Sequence, residues 1–236
     1  LIALPGLTLV THRFDKAKQI LTTFASFSKN GLIPNLFNDG DSKPSYNTVD
    51  ASLWFIDRVY QYMKYTNDID FLKDIWGTME SIIKSYKNRT DYNIFMDKDY
   101  LISHDPGLTW MDVKIGDYHP TPRCRKAVEI QALWYNALMI MDSLAQILDK
   151  KNSYIDLADK VKQSFNNQFD KLYDVIDTKD TSIRPNIIFL SALDFNMIDK
   201  NIQEKILDIF QEKLLTVFGP RTLSKDDNRY KGFLFG

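Results

Sequence analysis

The 236-residue chain is 44% apolar and 26% charged, with 30 Lys and Arg against 31 Asp and Glu. That composition supports a substantial core, excludes a disordered chain and, with no basic stripe, excludes a nucleic-acid module. Its single cysteine, Cys124, excludes an internal disulfide framework and fits a reducing, cytoplasmic setting, and no apolar run approaches the ~20 residues of a membrane span.

The opening LIALPGLTLV is short and has no basic leader. It reads as the interior of a longer protein rather than a signal peptide. From there apolar positions recur at helical spacing. Residues 13–30 predict a first helix, stopped at Asn30-Gly31. Residues 32–45, with Pro34, Gly40 and Pro44, break the rhythm. Residues 46–66 predict a second helix and 68–88 a third, with Asn67-Asp68 as its N-cap. Residues 89–123 run without a helix, and only 92–104 can pair as a small hairpin. Connections beyond ~12–15 residues are uncommon in compact domains and are usually functional or disordered. The Trp, Tyr, His and Asp content of this one argues against disorder. Residues 127–148 predict a long helix, apolar on nearly every face and so buried all round. Residues 153–169 pair with it as a hairpin. Residues 185–193 and 201–215 form a last pair, with Pro185 in a first turn. No linker or composition shift divides the chain, so 1–236 reads as one all-α domain.

Certain residues concentrate chemistry. On a helix over 46–66, Tyr46, Asp50, Trp54 and Asp57 share a face. Such a stripe either lines a polar pocket or is a solvated face that carries aromatics. Glu129 and Asn136 share a face of the apolar helix. A buried Glu is costly unless paired, so Glu129 is either a first-turn carboxylate favoured by the helix dipole or a pocket-wall residue. In TWMD, Asp112 follows Trp110. A carboxyl beside an indole in a partly dry site holds its proton more tightly, as a general acid near neutral pH requires. A loop Asp making an Asx-turn is the competing reading. Arg123 of TPR either grips a carboxylate with two bonds or sits on the surface. His104, His119 and Cys124 lack metal-ligand spacing, so no metal site is expected. Cys124 reads as a buried spectator. The phosphate-loop and nucleophile-elbow motifs are absent.

Taken in order, YNTVDASLWF, LTWMD, TPR, AVEIQALWYNAL, SIRPN and GPRTLS resemble the C-terminal catalytic domain of glycogen debranching enzymes. That domain is an amylo-α-1,6-glucosidase of the six-hairpin glycosidase superfamily, and the likeness is to its archaeal and bacterial type. It spans essentially the whole chain. It implies an all-α (α/α)6 toroid with the active site at one end of the ring. It implies a glycogen or branched α-glucan substrate and no cofactor, because carboxyl groups carry the proton transfers. Inverting removal of one glucose from an α-1,6 stub needs two carboxyl groups ~6.5–9.5 Å apart. The resemblance puts the general acid at Asp112 and the sugar subsite at Asp50, Trp54, Trp110, Arg123 and Glu129. This sequence departs from the pattern at Cys124, where Gly is usual, and at Gln131, where Asn is usual. About seven or eight helices are readable where a closed ring needs about a dozen. The family's base follows a segment beyond GPRTLS. The expectation is therefore a central portion of the domain, with its general base outside this chain. The opposing readings are a non-catalytic glucan-binding helical domain, a helical scaffold whose aromatics are core, and a glucoamylase-like hydrolase.

Overall fold

A computed structural model describes residues 1–37 and 43–232, so Gly40 and the closing residues 233–236 lie outside the described residues. After a π-helical turn at Pro5–Leu9 come α1 (Phe14–Ser26), α2 (Ala51–Thr66), α3 (Ile69–Asn88), α4 (Val128–Ile147) and α5 (Tyr154–Gln168). A 3-10 turn, Pro185–Ile188, then leads into α6 (Phe189–Ala192), and α7 (Lys200–Lys213) follows. Two short antiparallel pairs punctuate the helices. β1 (Phe95–Met96) pairs β2 (Ile102–Ser103), and β3 (Leu215–Thr216) pairs β4 (Gly219–Pro220). No helix among the described residues is long and apolar enough to cross a membrane.

Burial sorts the helices into two rows. α4 is buried on every face, as its nearly unbroken apolar sequence requires. α2 is buried from Ala51 to Asp57. The other helices bury a single stripe, such as Ala17 and Leu21 on α1 or Ala158, Val161 and Phe165 on α5. Packing follows the same division. α2 lies against α4, and α4 against the 3-10 turn and α6, which forms an inner row. α3, α5 and α7 pack outside as the second arms of hairpins with α2, α4 and α6, and α1 packs on both α2 and α3. The result is an arc of an (α/α) toroid around one continuous apolar cluster. Asp68 caps α3 by accepting the Phe71 N–H at 3.0 Å, and Asn67, at φ +50, ends α2 before it.

Three expectations change. α2 starts at Ala51, not at residue 46. Val49 N–H is already committed to Leu108 O at 2.8 Å, and the Tyr46 hydroxyl to Phe27 O at 2.7 Å. Those long-range bonds hold residues 46–49 out of the helix, and Tyr46 leaves the predicted stripe. The 92–104 hairpin forms, but β3–β4 is a second one, with a Gly at φ +119 in its second strand. Finally, half of 185–193 is 3-10 rather than α. Pro185 does occupy its first turn, where the missing N–H costs nothing.

Candidate active site

The inner helices all begin at the same end of the arc, and a cavity of about 440 Å3 opens there. Asp50 just before α2, Trp54 of α2, Trp110 of the long connection, Glu129 of α4, Asn186 of the 3-10 turn and Phe210 of α7 contribute to its wall. The size suits a small ligand such as a sugar.

Glu129 resolves both of its readings at once. It is in the first turn of α4, 2% exposed, and it lines the cavity. A buried carboxylate needs a partner, and Arg123 supplies one. Arg123 Nη1 and Nη2 donate to the two Glu129 oxygens at 2.5 and 2.6 Å. The same guanidinium donates from Nε and Nη2 to Asp174 at 2.6 and 3.0 Å. Both carboxylates hold Arg123 charged, against the cost of burial. Arg123 is thus 5% exposed rather than a surface residue. It stands behind Glu129 and not among the cavity's lining residues. Its backbone is left-handed at φ +36, a strained state for a side-chain-bearing residue, and these bonds fix it there. Burial pushes the Asp174 carboxyl up, against the pull of Arg123 and Asn186.

Asp50 precedes α2 and reaches the cavity with one oxygen accepting the Thr48 hydroxyl at 2.5 Å. Burial raises its pKa, and the charge on Glu129 raises it further. Trp54 is held between the Arg58 guanidinium, 4.8 Å from its ring centre, and Phe189, edge-on at 5.3 Å. Asp57 lies two turns, ~10 Å, further along α2 than Asp50. It accepts from Asn136 of α4 at 2.9 Å and pairs with Arg58. Asp57 and Asn136 therefore serve the helix interface and not the cavity.

Trp110 is 45% exposed on the cavity rim. Its indole N–H donates to Asn186 Oδ1 at 2.7 Å. Asp112 comes two residues later. It is exposed and does not line this cavity, so the indole does not dry its surroundings as the sequence suggested. It leaves from the base of an excursion that Thr121 Oγ1 closes by donating to Met111 O at 3.3 Å. Gly107 opens the segment at φ +71 with its backbone against His119. A Cβ at 107 would meet the His119 ring at 2.4 Å. That contact accounts for a glycine and a histidine in this loop.

Asp174 and Asn186 escaped the sequence reading as individual residues. Asp174 sits in the apolar run YDVI, and an acid inside such a run is a signal that it is paired. Among the described residues no group of three or more His, Cys, Asp or Glu could hold a metal ion.

Comparison with known proteins shows the family and the fold. The family described as amylo-alpha-1,6-glucosidase matches residues 1–236. A glycogen debranching enzyme of Saccharomyces cerevisiae is 43% identical over 67 residues, 28% of this chain and 4% of that protein. The fold is shared with a rhamnosidase from Klebsiella oxytoca, solved with rhamnose bound. The TM-score is 0.59 at 16% identity, covering 85% of this chain and 38% of that one. The chain thus spans well under two thirds of either relative.

Proposed function

Because the chain belongs to the amylo-α-1,6-glucosidase family, we propose that it forms a central portion of an (α/α)6 domain that removes single α-1,6-linked glucose stubs from glycogen or a related branched α-glucan. One observation carries this reading. The cavity joins an exposed indole, Trp110, to two carboxylates, Asp50 and Glu129. An indole face takes the apolar face of a pyranose, and carboxylates take its hydroxyls in charge-assisted hydrogen bonds.

Asp112 is the proposed general acid. It gives its proton to the glycosidic oxygen as the bond to the anomeric carbon breaks, while a water attacks from the opposite face. Asp112 is exposed two residues beyond the Trp110 rim, so its carboxyl is open to an incoming glycosidic oxygen. Glu129 is poorly suited to be the base, because Arg123 occupies both of its oxygens. It suits a fixed wall that orients the sugar. The reading assigns the base to a carboxylate outside this chain. Arg123 acts through Glu129, and Trp54 stiffens the wall beside Asp50.

Asp112→Asn in the full protein is expected to lower glucose release from a glucosyl-branched maltodextrin by about 10²–10⁴-fold. Activity at the wild-type level would remove Asp112 from the role. A second reading has a specific observation behind it, namely that Asp50 lines the cavity and its burial favours the protonated form. Loss confined to Asp50→Asn would transfer the acid's role there.

A further inference from the structure

Glu129 and Trp110 stand on different walls of the cavity, yet an unbroken chain of side-chain bonds connects them. Glu129 is bonded to Arg123, Arg123 to Asp174 and Asp174 to Asn186, whose Nδ2 donates to Asp174 Oδ1 at 2.8 Å. Asn186 in turn accepts from Trp110. Each intermediate side chain is buried, with Asn186 at 0% exposed, Asp174 at 2% and Arg123 at 5%. The direction of every bond is forced. Guanidinium and indole only donate, and an ionised carboxylate only accepts. The Asn186 amide therefore has one usable orientation, with its oxygen toward Trp110 and its nitrogen toward Asp174. That nitrogen also lies 3.7 Å from Met111 Sδ, so Asn186 holds both residues that precede Asp112. Asp174 has a further tie. Its carbonyl accepts Val128 N–H at 3.0 Å, at the start of α4.

We propose that Asp174 is a positioning residue that locks the Trp110 rim to the Glu129 wall through Asn186 and Arg123, and so sets where Asp112 leaves the rim. This rests on the glucosidase reading only for its effect on catalysis. Asp174 lies outside the cavity's lining residues. Its loss acts on the sugar platform at a distance, and the binding of substrate registers it first.

The test uses the full protein labelled with 5-fluorotryptophan, with the 19F line of Trp110 identified by its disappearance in Trp110→Phe. In Asp174→Asn and in Asn186→Leu, the Trp110 line is expected to move toward the position of the free indole while the lines of buried Trp76 and Trp134 hold. KM for the branched maltodextrin is expected to rise about tenfold, with kcat changed less. An unmoved Trp110 line in a folded Asp174→Asn overturns the proposal, as does movement in Asn186→Leu alone. If Asp174→Asn shifts every line through misfolding, Asp174→Glu, which keeps the charge and displaces the carboxylate, decides: a displaced Trp110 line supports the relay and an unmoved one overturns it. A wild-type protein that releases no glucose, yet shows the Trp110 shift in both variants, sinks the glucosidase reading and keeps the relay.

Discussion

α2 and α4 run side by side and carry polar residues at matching heights, Asp50 with Glu129 and, two turns lower, Asp57 with Asn136. The spacing along each helix is the same, and the outcomes are opposite. The lower pair closes on itself. Asn136 donates to Asp57 and accepts Phe195 N–H at 3.2 Å, so little is left for a ligand. The upper pair does not bond across. Each carboxylate is held from behind, Asp50 by Thr48 and Glu129 by Arg123, and their charges repel. Helical periodicity puts all four on suitable faces. Height in the ring decides which become packing and which remain open to a cavity.

The contrast can be broken from either end. The largest expected effect on stability is Arg123→Met, which leaves Glu129 buried without its partner and Asp174 with only Asn186 and an Arg184 Nε at 3.5 Å. Removing one partner of such a pair costs about 3–5 kcal/mol, read as a lower urea midpoint. A loss under about 1 kcal/mol would mean that the upper rung needs no support from behind. Asn136→Leu takes one donor from buried Asp57 and orphans Phe195 N–H, with an expected loss of about 2 kcal/mol. No loss would show the lower rung to be dispensable.

Asp50→Asn should go the other way. The folded pKa of Asp50 is raised above 3.8, so the folded state holds the proton more tightly than the unfolded chain does. Its contribution is full below the unfolded value and is lost as pH rises through the folded value. The asparagine variant does not titrate. Its stability advantage should be absent at low pH and grow as pH rises, to no more than about 2 kcal/mol. Unfolding curves across pH check this, and a difference that does not vary with pH sinks it. The smallest effect is Asp112→Asn, within about 0.5 kcal/mol of wild type. A larger change would contradict its exposed setting.

The helices were largely legible because α1, α3, α5 and α7 each show one apolar stripe and α4 shows no polar face at all. The motifs carrying Asp50, Trp110 and Glu129 pointed to residues that do meet at one cavity. What sequence concealed was long-range commitment. Tyr46 fits the helical period, but its hydroxyl is spent on Phe27, so the helix starts later. Arg123 was open between a two-bond grip on a carboxylate and a surface position; the grip forms on Glu129, and Asp174, far along the chain, is the partner that no local pattern showed. Asp112 was legible as a motif position and not as a place. Its surroundings depend on how Met111, Thr121 and Asn186 close the base of the loop, and no local pattern encodes that.

The division into rows also sets how freely each part of the chain can drift. α4 touches neighbours on every side, so a substitution there must fit several partners together. α7 answers to the core through one fully buried residue, Ile206, and α5 through three. Random substitution of this protein should therefore leave survivors whose changes gather in the outer helices. The inner row would stay nearly fixed whether or not a given residue ever touches a sugar.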